Sequence, residues 1–139
     1  MKKYLSISAL FVLLSSFIAV PATDPADSVS LFQTRWVLRS IHEKDKVDFI
    51  YTYAWLELDE AGKKISGNGS CNRFGGQYQS DGQSLQFGAL FSTKMFCQEM
   101  QEIESAFLRN LSRVNRYVIS GLKLRLYKDE QLLLEFRAV

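Results

Sequence analysis

The sequence predicts a mainly β fold of the α+β class: a small antiparallel β-barrel-like or strongly curled sheet with one packed α-helix. Three observations predict it: short runs of apolar residues alternating with polar ones, turn formers between those runs, and one segment with helical periodicity. Because the runs are short and their connections tight, neighbouring strands are expected to pair antiparallel. The composition, 47% hydrophobic and 13% aromatic, is typical of a chain that packs a core.

Four runs have strand character because they are rich in aromatic and aliphatic residues: 34–41, 49–58, 122–128 and 131–138. In the third run, Leu122, Leu124 and Leu126 should face the core, while Lys123 and Arg125 should face water. Turns are predicted at 60–62, 81–82, 120–121 and 128–130, where Asp81-Gly82 is the strongest hairpin signal.

One helix is predicted between these strands, over residues 98–114. Apolar residues recur there at steps of three and four and form one stripe that should pack on the sheet: Met100, Ile103, Phe107, Leu111 and Val114. Acidic residues occupy the early turns and arginines the late ones, an order that favours the helix macrodipole.

The N-terminal segment predicts export. Lys2 and Lys3 precede an apolar run at 5–18, and Val20 and Ala22 supply small residues for signal cleavage before Thr23. The alternative is a membrane anchor, but four serines interrupt a run shorter than the roughly 20 residues that a span needs. Residues 1–22 are therefore interpreted as a cleaved signal peptide, 23–33 as a flexible leader and 34–139 as one domain.

Charge argues against a nucleic-acid partner. The chain has 17 Lys and Arg and 15 Asp and Glu, and the expected signal holds two of the lysines and no acid, so the remainder is neutral. A basic stretch from Arg109 to Lys128 is interpreted as a solvated face rather than an anionic docking patch. The first cysteine is Cys71, so no lipid anchor is expected, and the protein should be periplasmic and soluble after cleavage.

The segment from Gly67 to Cys97 carries the most distinctive pattern. It reads GNGSCNRFGGQY at 67–78 and TKMFC at 93–97, and its glycines indicate either positive φ or close approach of another chain segment. This pattern resembles the META domain family, whose best-known bacterial members are HslJ-like heat-inducible envelope proteins. The matching structural-motif residues are Gly67, Gly69, Asn72, Gly76, Tyr78, Thr93 and Met95, with Glu104, Phe107 and Leu108 in the helix. Ser70 stands where the family pattern has a glycine.

The two cysteines allow three readings. An even count in an exported, strand-rich chain favours a Cys71–Cys97 disulfide, while the alternatives are two buried thiols or a nucleophilic Cys71. A nucleophile would need a base, and the single histidine, His42, is the candidate. Cofactor and metal sites are not expected, because no phosphate loop or metal-ligand spacing appears. Asn72 is expected to tie its own turn together rather than to act chemically.

The resemblance implies an exported, non-enzymatic protein with a role in envelope stress tolerance. It also suggests an alternative, a small β-barrel binding module for a lipid, an apolar ligand or a partner protein segment, since the fold is similar to that of a lipid-binding pilot protein of type III secretion. The expected partner is then an unidentified envelope protein or apolar ligand, and the protein is expected to be a monomer. Alternate aromatic residues at Phe49, Tyr51, Tyr53 and Trp55 could form either core or a hydrophobic groove.

Overall fold

The computed structural model describes residues 29–43, 46–49 and 52–139. This part of the chain forms ten strands and one helix. The strands are β1 Trp36–Glu43, β2 Lys46–Phe49, β3 Trp55–Asp59, β4 Lys64–Asn68, β5 Arg73–Asp81, β6 Ser84–Phe87, β7 Phe91–Ser92, β8 Arg116–Ser120, β9 Lys123–Lys128 and β10 Gln131–Ala138; helix α1 is Gln101–Leu111.

Eight of the strands close an antiparallel barrel in the order β1, β3, β4, β5, β6, β8, β9, β10, and β10 pairs with β1 to complete the ring. β2 pairs with β1, and β7 pairs with β5, outside that order. The narrowest junction joins β6 to β8 through the single register pair Ser84–Arg116. The predicted mainly β, barrel-like fold with one helix is confirmed.

Packed side chains fill the barrel interior. On β9, Leu124 and Leu126 point inward and are fully buried, while Lys123 at the start of the strand is exposed, as the alternation predicts. Leu122 differs from the prediction, because it lies in the β8–β9 turn after Gly121 and is 46% exposed. All four predicted turns are present as strand connections.

Helix α1 packs on the barrel through its apolar stripe, which confirms the predicted helix in its central part. The Phe107 ring meets the rings of Phe74 and Phe136 edge-on, at centroid distances of 5.5 and 6.0 Å. Burying one such side chain contributes about 1.5–3 kcal/mol. The helix begins later than predicted because the N–H groups of Met100 and Gln101 both donate to the Cys97 carbonyl, which forms a turn before the helix. It also ends earlier, at Leu111.

The aromatic run at 49–58 is not one strand. β2 ends at Phe49 and β3 begins at Trp55; residues 50 and 51 lie outside the described residues. The Thr52 hydroxyl accepts a hydrogen bond from the Ala54 N–H at 3.0 Å, and such a local bond holds the backbone in a turn. Tyr53 is 82% exposed, so it is not part of the core.

The described end of the expected leader packs against the domain. Leu31 is 4% exposed, and its carbonyl accepts a hydrogen bond from the Trp36 indole N–H at 3.0 Å. The Phe32 ring stacks on Tyr78. Residues 29–33 therefore belong to the folded unit, which differs from the expected boundary at residue 34; the expected signal peptide, residues 1–22, lies outside the described residues.

Candidate functional site

The two halves of the glycine- and cysteine-rich pattern meet at one end of β4 and β5. Cys71 and Cys97 form a disulfide with their Cα atoms 5.9 Å apart, so the predicted bridge is confirmed. The bridge joins the β4–β5 connection to the segment that runs from β7 to the helix. Neither cysteine is therefore available as a thiol nucleophile or as a metal ligand in this structure.

Asn72 is buried beside the disulfide, 3% exposed, and its side-chain amide holds the segment after β7. Its Oδ1 accepts hydrogen bonds from the Thr93 hydroxyl at 2.8 Å and the Met95 N–H at 2.7 Å. Its Nδ2 donates to the Met95 carbonyl at 3.1 Å and to Glu104 Oε1 at 2.7 Å. Asn72 was expected to tie its own turn together, whereas its side-chain amide binds a distant segment.

Glu104 completes this buried polar group from the helix side and is 4% exposed. Its Oε2 accepts hydrogen bonds from the backbone N–H groups of Cys71 at 3.1 Å and Asn72 at 2.6 Å. Because Glu104 lies in the first turns of α1, the helix dipole also favours its negative charge. We call the group formed by Cys71, Asn72, Thr93, Met95 and Glu104 the Asn72–Glu104 cluster. It fastens the helix and the segment after β7 to the barrel.

The motif glycines serve close packing rather than positive φ. A Cβ at Gly69 would lie 2.6 Å from Glu104 Oε2, and a Cβ at Gly67 would lie 2.2 Å from the Trp55 carbonyl oxygen. Gly76 is similarly crowded by the Ala89 carbonyl. The positive φ in this connection belongs to Ser70, at 97°.

Tyr78, the remaining motif residue, is also internal. It is 2% exposed, and its hydroxyl donates to the Asp59 carbonyl at 3.1 Å. Burial raises the pKa of the Tyr78 hydroxyl above its ordinary value, and the nearby charges of Glu60 and Asp59 act in the same direction. Tyr78 therefore has a structural role: its hydrogen bond joins β5 to the end of β3.

The histidine considered as a base lies elsewhere, in β1. His42 Nε2 is 2.9 Å from the Ser40 hydroxyl, but Ser40 is only 2% exposed. Burial lowers the pKa of His42, although the charge of Glu135 opposes this shift. A serine buried to this extent offers no surface to a substrate. Within the described residues no group of three or more His, Cys, Asp or Glu is arranged to hold a metal ion.

Most large exposed apolar side chains surround the β4–β5 connection. Six are exposed in the described residues, and four of them lie here: Tyr53 at 82%, Phe96 at 80%, Phe91 at 71% and Met95 at 60%. The Thr52 hydroxyl contacts the Ser70 hydroxyl, which brings Tyr53 to this end, and Phe96 adjoins the disulfide. We call Tyr53, Met95 and Phe96 the apolar rim. The sequence analysis considered Tyr53 for a hydrophobic groove but did not predict that Met95 and Phe96 would join it, because these two residues lie in a short segment with no periodicity.

A shallow depression of about 460 Å³ lies beside the rim. Asn72 and Glu104 are among its lining residues, together with Lys94, Met95 and Phe96. The polar atoms of Asn72 and Glu104 are used in the Asn72–Glu104 cluster, so this region offers a partner the side chains of the rim together with exposed Lys94. In the part of the chain that the structure describes, no helix is long and apolar enough to cross a membrane.

The basic stretch from Arg109 to Lys128 is largely engaged with other residues of the chain. Arg109 pairs with Glu43 at 2.5 Å and Arg125 with Glu135 at 2.9 Å. Arg116 lies over the Tyr127 ring at 4.2 Å and bonds to the Asp129 carbonyl. These contacts support the interpretation of the stretch as a solvated face.

Comparisons with known proteins give one family and three related structures. An NMR structure of a protein from Burkholderia xenovorans is 25% identical to this chain, covering 100% of it and 99% of that chain, with a TM-score of 0.68. A second NMR structure is 24% identical, covering 78% of this chain and 94% of that one, with a TM-score of 0.54. A crystal structure of a DUF4847 family protein from Bacteroides vulgatus is 13% identical over 77% of this chain and 93% of that one, with a TM-score of 0.55.

A search of curated proteins found no match. The family model described as META domain matches residues 29–139. This range includes every strand, the helix, the disulfide and the Asn72–Glu104 cluster. The chain therefore belongs to the META domain family.

Proposed function

We propose that this META-domain protein is exported and acts in the cell envelope as a non-enzymatic binding domain, with the apolar rim as its contact surface. The observation that carries the proposal is the contrast between two neighbouring sets of side chains. The polar groups of Asn72 and Glu104 are used within the protein, whereas the side chains of the rim are 60–82% exposed. Exposed apolar side chains grouped on a rigid support are typical of an interaction site.

Export is supported by the signal-like pattern at residues 1–22 and by the disulfide, which suits an oxidising compartment. The role in envelope stress tolerance rests on the resemblance to heat-inducible members of the family. A periplasmic location without a lipid anchor completes the proposal.

The alternative function, a carrier that encloses an acyl chain within its sheet, is less well supported. The largest fully buried side chains, among them Trp36, Phe107 and Phe136, occupy the barrel interior, and an enclosed ligand would have to displace them. A partner segment or an apolar ligand bound at the rim requires no such rearrangement. We therefore favour binding on the surface.

The test is complementation of heat survival in a strain that lacks the gene. The variant Tyr53→Ser/Phe96→Ser should fail to complement while keeping the melting temperature of the wild type, because both side chains are exposed. The matched control Leu122→Ser/Val139→Ser removes two exposed apolar residues elsewhere and should complement fully. Full complementation by the rim variant would contradict the proposed function.

A further inference from the structure

Independently of the apolar rim, we propose that the outer face of β4, β5 and β6 carries a groove that binds a neutral oligosaccharide. In this assignment Phe91 supplies an aromatic ring for stacking against a sugar. Gln77, Gln79 and Gln86 supply hydrogen-bonding groups for its hydroxyls. The site lies on the side of the barrel, so its function does not require the rim.

The groove consists of two neighbouring depressions. One of about 790 Å³ lies along β4 and β5 and reaches Phe91; the other, of about 490 Å³, lies along β5 and β6. Both are lined by Gln77 and Gly88, so the two depressions are adjacent. These volumes are within the range of sites that bind small molecules, about 300–1,000 Å³ each.

Phe91 is fixed at one end of the groove although it is 71% exposed. β7 pairs Phe91 with Gly75 of β5, and a Cβ at Gly75 would lie 2.8 Å from Phe91 Cζ. The missing side chain at Gly75 is therefore what allows the ring to lie against the strand.

The glutamines lie further along the same face. Gln77 and Gln79 alternate with the buried Tyr78 on β5 and are exposed, and Gln86 is directly opposite Gln79 on β6. Each amide offers two donor hydrogens and an acceptor oxygen, which suits sugar hydroxyls that both donate and accept. Among the described residues, none of these three side chains makes a hydrogen bond within the protein.

The charges of the groove favour a neutral ligand. Its lining includes Asp59, Lys63 and Lys64. The lining therefore holds one acid and two lysines, and Lys63 also lies over the Phe32 and Tyr78 rings, at 5.6 and 5.8 Å from their centroids. A polyanion would find little net positive charge here, and a purely apolar ligand would bury the amides without partners at a cost.

The test is an NMR titration of the ¹⁵N-labelled protein with chitotetraose, cellotetraose and maltotetraose, and with decanoate as an apolar probe. We expect saturable shifts of the Gly75, Gln77, Gln79 and Gln86 amides with at least one saccharide. Phe91→Ser should weaken that binding tenfold or more. The matched variant Phe96→Ser, which removes another exposed phenylalanine on the same segment, should leave it unchanged.

Three outcomes would overturn the proposal. They are no saturable shift with any of the three saccharides, equal weakening by Phe91→Ser and Phe96→Ser, and shifts of the groove amides with decanoate alone. None of these outcomes depends on heat survival of the rim variant, so failure here and failure of the proposed function are distinguishable.

Discussion

Ser70, where the family resemblance predicts a glycine, holds a strained backbone. Its φ of 97° is a conformation that side chains other than glycine rarely adopt. Two local contacts compensate: the Ser70 N–H donates to Asn68 Oδ1 at 2.7 Å, and its hydroxyl contacts that of Thr52. The sequence identified position 70 as unusual. It could not predict the φ angle, because that angle depends on how the Asn72–Glu104 cluster holds the residues that follow Ser70.

Ser70→Gly is expected to stabilise the domain by about 1 kcal/mol, because glycine adopts this φ without strain. Thermal melting measures the effect, expected as an increase of a few degrees. Ser70→Ala is the control, since it keeps the Cβ but removes the hydroxyl, and it should lower the melting temperature. A lower melting temperature for Ser70→Gly would show that the hydroxyl contact outweighs the strain.

Glu104→Gln tests the polarity of the Asn72–Glu104 cluster. Asn72 cannot turn its amide over, because its Oδ1 already accepts from Thr93 and Met95. In the variant, the glutamine carbonyl at position 104 can accept from the backbone N–H groups of Cys71 and Asn72. The glutamine NH₂ group then faces Asn72 Nδ2, so that two hydrogen-bond donors meet. We expect a loss of about 1–3 kcal/mol in the free energy of unfolding, measured by urea denaturation. Glu102→Gln, an exposed change on the same helix, should have little effect; equal losses would contradict the assigned contacts.

The segment between β7 and α1 is the element on which the site depends, and two separate ties hold it. The disulfide anchors one end at Cys97, and Asn72 binds Thr93 and Met95 near the other. The sequence predicted the disulfide, and it identified Asn72, Thr93 and Met95 as motif residues without predicting that they bind one another. It did not predict Glu104 as the link to the helix, because that contact joins residues 32 positions apart and the glutamate fits an ordinary helix N-terminus equally well.

Removing the disulfide should destabilise the domain without unfolding it. For a sequence separation of 26, the chain-entropy relation gives about 3.5 kcal/mol, less than the total stability of most domains. Cys71→Ser, Cys97→Ser and the double variant should therefore lose similar stability, measured by denaturant unfolding under oxidising conditions. Unchanged stability of all three would show that the bridge is not formed in solution.

The contact of Glu43 in β1 with Arg109 and Asn110 in α1 should depend on pH. Hydrogen bonds from Arg109 and Asn110 lower the pKa of Glu43 below its ordinary value of 4.5. The stability from this contact is therefore present above pH 4.5 and is lost as the pH falls through the lowered value. Glu43→Gln should melt below the wild type at pH 7, with the difference disappearing at low pH. Because Glu43 and Arg109 are largely exposed, the effect should be small; a constant difference at all pH values would contradict it.

At the scale of the whole molecule, the closed barrel depends on pairings that local patterns do not specify. Alternation and turn chemistry predicted β9, β10 and the four hairpin turns. They failed at residues 49–58, where the Thr52 side chain competes with strand formation. Closure joins β1 to β10, the first and the last strand of the described residues. Which strands meet across such a separation depends on how their side chains pack together, and neither strand's own sequence specifies it.

If the family motif braces the segment after β7 from within, hydrogen exchange of the Met95 amide should report it. The Met95 side chain is 60% exposed, yet its N–H donates to the buried Asn72 Oδ1. This amide should be protected in the wild type. In Asn72→Ala it should exchange much faster, while the amides of β9 and β10 keep their protection. Exchange of the Met95 amide at the rate of an unstructured peptide in the wild type would contradict the account.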